Sequence, residues 1–136
     1  MRALYLPCFA KVNLRLHIVE RRPDGYHELR TIFQTISLHD ELELELRRTP
    51  GIRLECDDPA LPTGRENLVY RALQLLQHEL ALKTGVYARL RKRIPVGRGL
   101  GGGSSNAAAA LVGLLRLLRR RPPLSQLLAW AARLGT

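Results

Sequence analysis

PVGRGLGGGSSNAAAAL, Pro95 to Leu111, packs five glycines into seven residues and then turns into Ser-Ser-Asn and four alanines. Glycine admits positive φ and lets backbone N–H groups approach a ligand closely, whereas alanine is the strongest helix former. The stretch therefore reads as a glycine loop opening a helix near Ser104 or Ser105. Just upstream, VYARLRKRI has strand character as far as Ile94, so the local order is strand, glycine loop, helix. Unpaired N–H groups and the positive dipole end of a new helix favour an anion, phosphate above all. Ser104 and Ser105 add hydroxyls able to cap the helix or to reach a phosphate or a magnesium ion. A flexible hinge is the plainer alternative, but a hinge has no need of Ser-Ser at a helix start.

Two phosphate motifs fail against this loop. Gly97 to Gly102 fit the letters GxGxxG, yet nothing acidic follows Glu79, so the ribose-binding carboxylate expected about 20 residues on is missing. Gly97 and Gly102 also have the Walker A separation, but Gly103 stands where the lysine belongs.

A chain of 136 residues suffices for one domain with a real core. No apolar run approaches the roughly 20 residues of a membrane span, and MRALYLPCFAK is too short and too soon interrupted by Pro7 for a signal peptide. A cytoplasmic protein without membrane contact is expected. Cys8 and Cys56 are isolated, which predicts free thiols and neither a disulfide nor a zinc site. The net charge is +10, but its distribution is more telling: residues 1–79 carry 11 Lys+Arg against 12 Asp+Glu, and residues 80–136 carry 11 against none. An acid-free half suits RNA as well as a small polyphosphate, so a basic nucleic-acid-binding module stands as an alternative. Any chemistry that needs a carboxylate must take it from before residue 80 or from outside this chain.

KVNLRLHI alternates Val12, Leu14, Leu16 and Ile18 against polar residues, the period of a half-buried strand. Pro23-Asp24-Gly25 supplies turn chemistry before a second extended run, LRTIFQTISL, and DELELELR reads as a third strand with Glu41, Glu43 and Glu45 on a wet face. Asp24, Asp40, Asp57 and Asp58 are read as turn or loop residues. PGIRLECDDPALPTG gives a short strand and a loop. ENLVYRALQLLQHELAL places Leu68, Ala72, Leu75, Leu76 and Leu80 on one helical stripe, stopped at Thr84-Gly85. After the alanine- and leucine-rich helix, which is apolar nearly all round and calls for cover on more than one side, Pro122-Pro123 ends it. LSQLLAWAARLG is a last helix with Ser125 near its N-cap. This order predicts α+β layering, mainly an antiparallel sheet packed with helices.

The loop closely resembles the P-x-x-x-G-L-G-(G/S)-S-S motif of the galactokinase, homoserine kinase, mevalonate kinase and phosphomevalonate kinase (GHMP) superfamily. GLGGGSSN, together with AKVNLRLHIVERRPDGYHELRTIFQTI, is similar within that superfamily to the kinases of 4-diphosphocytidyl-2-C-methyl-D-erythritol, from about Ala10 to the final LGT. The resemblance implies the GHMP N-terminal domain, with a fold like domain 2 of ribosomal protein S5, over residues 1–136. It also implies ATP and Mg2+ and a small-molecule substrate, a cytidyl diphosphate sugar alcohol phosphorylated on its 2-hydroxyl in the non-mevalonate (MEP) route to isoprenoids. No nucleic-acid partner is implied, and a homodimer stays open.

By the same resemblance Lys11 matches the active-site lysine, and Asn13, Tyr26 and His27 match substrate contacts, the last two holding the cytosine. Asn67 and Lys92 match positions near the adenine, and Pro95, Val96, Gly97, Arg98, Gly99, Leu100, Gly101, Gly102, Gly103, Ser104 and Ser105 match the ATP loop. Arg98 departs from the small residue usual there. Ser104 or Ser105 is the candidate magnesium ligand. The family continues after this chain's last LG with a segment resembling G-A-D-V-P, whose aspartate is the presumed base; the expectation is an N-terminal portion without the C-terminal domain. The rival enzymes, other GHMP small-molecule kinases, are not expected to carry RPDGYHELRT.

Overall fold

The computed structural model describes residues 3–21, 27–96 and 101–134, with the side chains of 12–34 outside the description. Leu4, Leu6, Cys8 and Ala10 recur at every second position, as do Leu42, Leu44 and Leu46, so each segment can bury one apolar face only as a strand. Four strands form one sheet: β1 (Ala3–Arg21), β2 (His27–Arg47), β3 (Ile52–Cys56) and β4 (Gly85–Arg91). Their order is β1-β2-β4-β3. The β1/β2 and β2/β4 pairings are antiparallel, whereas β3 and β4 are parallel and are joined through helix α1 (Leu68–Glu79). A parallel pair needs such a crossover, which accounts for the helix between them. Helices α2 (Gly102–Leu117) and α3 (Leu124–Leu134) follow.

The buried face of the sheet carries Cys8, Leu42, Leu44, Leu54, Val86, Ala88 and Leu90. Val69, Leu73 and Leu76 of α1, Ala110, Leu111 and Leu114 of α2, and Trp130 of α3 close over it. Each fully buried leucine here contributes about 2 kcal/mol through apolar area removed from water. The all-round apolar character of α2 is explained by its neighbours, since it packs on β1 and β2 beneath and on α1 and α3 at its sides. Gly113 marks the tightest approach: a Cβ there would lie 2.8 Å from both Leu44 Cδ1 and Leu6 Cδ1.

Several sequence expectations change. LRTIFQTISL and DELELELR are one strand, β2, because β1 pairs with it from His27 to Glu45, across the join. Asp40 accordingly lies inside a strand and not in a turn. β4 ends at Arg91, short of Ile94: the N–H of Lys92 turns to Asp57 Oδ1 (2.9 Å), and those of Arg93 and Ile94 turn to Asp40 Oδ1 (2.6 and 2.9 Å), leaving the ladder. The helix after the glycines begins at Gly102, ahead of Ser104, since Ser105 N–H already bonds Gly101 C=O at 2.9 Å. Helix α1 buries Val69 and Leu73 besides Ala72 and Leu76, while Leu68, Leu75 and Leu80 are only partly buried. Its stop precedes Thr84-Gly85, because Ala81 takes the left-handed conformation (φ 49°) and Leu82 N–H returns to Gln77 C=O at 2.9 Å. Helix α2 closes in the same way through Arg119 (φ 56°), with Arg120 N–H on Leu115 C=O, three residues before Pro122. Ser125 is the second residue of α3, near the N-cap as expected, and the Pro123 carbonyl opens that helix by accepting from Gln126 and Leu127.

The sheet also redistributes charge. Glu41, Glu43 and Glu45 face outward as expected but are half-buried, because β4 brings basic residues beside them. Arg89 lies 3.6 Å from Glu43 and 4.0 Å from Glu55, and the Arg47 guanidinium stacks 4.5 Å from the Tyr87 ring centre. Cys8 and Cys56 are free thiols, and no described helix is long and apolar enough to cross a membrane.

Candidate functional site

Four segments meet at the start of α2. Gly101 is its N-cap and holds φ 73°, a left-handed conformation open to glycine and costly for branched side chains. It supplies no side chain to close the first turn, so the N–H groups of Gly102, Gly103 and Ser104 have no side-chain cap there. Gly103 and Ser104 are exposed and Ser105 is half-buried. The stem of Lys11 lies across this turn, its Cγ and Cε each 3.0 Å from the place a Gly101 Cβ would occupy. A register shift between Phe9 and Lys11 re-aims β1 at this point, so that Ala10 stays buried while Lys11 reaches the helix start.

From the other side α1 brings its own N-terminus: a Cβ on Gly103 would touch Leu68 Cδ1 at 3.4 Å. Asn67 caps α1, its Oδ1 accepting from Val69 N–H at 2.9 Å and its Nδ2 donating to the Pro62 carbonyl at 3.0 Å. One amide hydrogen and one lone pair remain for a ligand.

Lys92 lies beneath the turn. Its Nζ is 3.1 Å from a would-be Gly102 Cβ and donates to Asp40 Oδ2 at 2.6 Å and Asn106 Oδ1 at 3.1 Å; the lysine side chain is 7% exposed and that of Asp40 is fully buried. Asp40 Oδ2 also accepts from Asn106 Nδ2 at 3.0 Å. Burial alone would push the Asp40 carboxyl up, but the Ile94 N–H, Lys92, the Arg93 N–H and Asn106 together bring it below the ordinary carboxylate value. Cys8 pairs with Asp40 across the β1/β2 ladder, and burial drives its thiol to about 11, which keeps it protonated at neutral pH.

The structure thus gathers Lys11, Asn67, Lys92 and Gly101 to Ser105. Pro95 and Val96 lie on the exposed approach to the loop. Gly97, Arg98, Gly99, Leu100 and Tyr26 fall outside the described residues, as do the side chains of Asn13 and His27. On the backbone, Asn13 pairs with Phe33, and His27 opens β2 opposite Arg21. No group of three or more His, Cys, Asp or Glu side chains suited to a metal ion occurs among the described residues.

Asp40 and Asn106 were missed by the sequence reading, although the signal was present. Asp40 shares its even-numbered register with Leu42 and Leu44, and a carboxylate on the apolar face of a strand must be paired. Asn106 lies one turn before Ala110 on the buried stripe of α2.

The chain is 48% identical over all 136 of its residues to a 4-diphosphocytidyl-2-C-methyl-D-erythritol kinase of Synechococcus sp. (strain JA-3-3Ab). It is 44% identical over 117 residues, 86% of its length, to the protein of that name in Acetivibrio thermocellus. The crystal structure of a 4-(cytidine 5'-diphospho)-2C-methyl-D-erythritol kinase superposes on 98% of the chain with TM-score 0.81 and 44% identity. The chain spans 44% and 41% of the two relatives and 46% of the crystallised kinase, less than half in each case. Residues 67–136, which run from the cap of α1 through the glycine loop and α2, match the family model described as the GHMP kinases N terminal domain, and the chain belongs to that family.

Proposed function

We propose that this chain is the ATP-binding N-terminal domain of a kinase that phosphorylates the 2-hydroxyl of 4-diphosphocytidyl-2-C-methyl-D-erythritol in the non-mevalonate route to isoprenoid precursors. The observation that carries the reading is the open first turn of α2, uncapped at Gly101 and flanked by the Lys11 stem. Phosphoryl transfer asks chiefly for positioning and charge neutralisation, and an array of N–H groups at a helix N-terminus supplies both. In the transfer, the substrate hydroxyl oxygen bonds to the γ-phosphorus as the bridging P–O bond to ADP breaks, and the hydroxyl proton passes to a base. Lys11 lowers the pKa of that hydroxyl and holds charge on the transferring group. Asn13, Tyr26 and His27 hold the cytidyl substrate. Asn67 borders the adenine; Lys92, which the resemblance also matches to that region, lies under Gly102 on Asp40 and Asn106. Ser104 or Ser105 would offer a hydroxyl ligand to a magnesium ion accompanying the nucleotide phosphates, which would neutralise phosphate charge.

The acid-free half of the sequence favours RNA less once folded, because Arg89, Lys92 and Arg133 pair with Glu43, Asp40 and Glu79. Titration calorimetry separates the two readings. Saturable ATP binding that ADP displaces is the expected result. A folded chain that ignores ATP and binds RNA with an affinity falling steeply with salt would refute the kinase reading. For the transfer itself, the whole translated protein should form ADP only when the cytidyl substrate is present, and Lys11→Ala should abolish that turnover while leaving the circular dichroism spectrum unchanged.

A further inference from the structure

The strand β2 has no obvious reason to bury a carboxylate among leucines, and a buried charge is retained only where its partners are all in place. At Asp40 they are, and they come from both ends of one segment. Oδ1 takes the backbone N–H groups of Arg93 and Ile94, the last residues before Pro95, while Oδ2 takes Lys92 Nζ and Asn106 Nδ2, the latter in the second turn of α2. The glycine segment leaves the sheet at the first of these points and has become helix by the second. Lys92, bridging Asp40 and Asn106, lies directly under Gly102. The floor of the candidate phosphate cradle is therefore set from β2, by a residue too deep to touch a ligand itself.

We infer that Asp40 is a positioning residue for the nucleotide phosphates: by fixing Ile94 and Asn106 together it sets where the N–H groups of Gly102, Gly103 and Ser104 stand. This rests on the reading of the α2 N-terminus as a triphosphate site. A residue that only stabilises the fold would weaken every ligand alike. One that positions the phosphate cradle weakens ligands in proportion to the phosphates they carry.

The test compares ATP, ADP, AMP and adenosine by titration calorimetry on the unaltered chain and on Asp40→Asn, which keeps an acceptor oxygen for Arg93 and Ile94 but loses the charge that holds Lys92. The dissociation constant for ATP should rise about tenfold or more, the size expected for losing a charge-assisted hydrogen bond, with adenosine almost unchanged. Equal losses for ATP and adenosine, or no loss at all, would overturn the inference. Failure of the unaltered chain to bind ATP would instead overturn the functional reading. Hydrogen exchange on the unaltered chain decides the matter should the variant not fold. The Arg93 and Ile94 N–H groups should exchange as slowly as those of β4, and ATP should slow Gly102 to Ser104 further; exchange of Arg93 and Ile94 at the rate of open loops sinks the proposal.

Discussion

The N-termini of α1 and α2 lie side by side and are finished in opposite ways. α1 opens on Asn67, whose side chain turns back onto the Val69 N–H; α2 opens on Gly101, which has no side chain to offer. The first helix satisfies its own backbone, and the second leaves its first turn to whatever approaches. Both ends need N–H partners for the same physical reason, and the proposed function gives those of α2 to a bound phosphate. The helix C-termini show no such contrast: both close through the same pair of backbone bonds around a non-glycine residue with positive φ, Ala81 in one and Arg119 in the other.

The comparison breaks most severely at Gly101. A valine there must hold φ 73° and displace the Lys11 stem, so Gly101→Val should cost about 2 kcal/mol of stability and remove ATP binding altogether. Urea unfolding followed by calorimetry reads both losses, and a variant that binds ATP normally would show the turn to be incidental. Ser104→Asp separates stability from function. A carboxylate in the first turn favours the helix dipole by about 0.5 kcal/mol while repelling a bound phosphate, so the melting temperature should rise as ATP affinity falls about tenfold. A parallel rise in both would contradict a phosphate site.

On α1 the corresponding change is read in stability. Asn67→Ala should lower stability by about 1 kcal/mol, and Asn67→Asp, which keeps the acceptor, should recover most of it in the same urea titration. The smallest effect belongs to the helix ends. Ala81→Gly relieves a left-handed alanine, and a gain of several tenths of a kcal/mol is expected after the entropy cost of glycine is offset. A loss of stability would mean that the Ala81 methyl contributes more than its strain costs.

The outline of the fold was legible because most of it is local. Period-2 alternation in 42–46 and the turn residues around the glycine run placed strands, loop and helix in the right order. What failed were boundaries. The division of β2 into two strands, the extension of β4 to Ile94 and the helix start at Ser104 each assumed that backbone N–H groups stay with the nearest ladder or helix. The structure instead gives those of Arg93 and Ile94 to a carboxylate more than 50 residues away in sequence. The charge map failed in the same manner. Residues 80–136 look like an unbroken basic surface when read in line, and only sheet and helix packing set Arg89, Lys92 and Arg133 against acids of the first half.

The sequence by itself determined the glycine loop, the helix that follows it and the chemistry such a helix start invites, because glycine freedom, alanine propensity and unpaired N–H groups are properties of neighbouring residues. Tertiary structure alone decided that Lys11 lies over Gly101, that Asn67 caps the adjacent helix, and that Asp40 ties Lys92, Ile94 and Asn106 into one buried cluster. A buried charge is tolerable only where its partners converge in space, and that convergence is a fact about the fold that spacing along the chain does not encode.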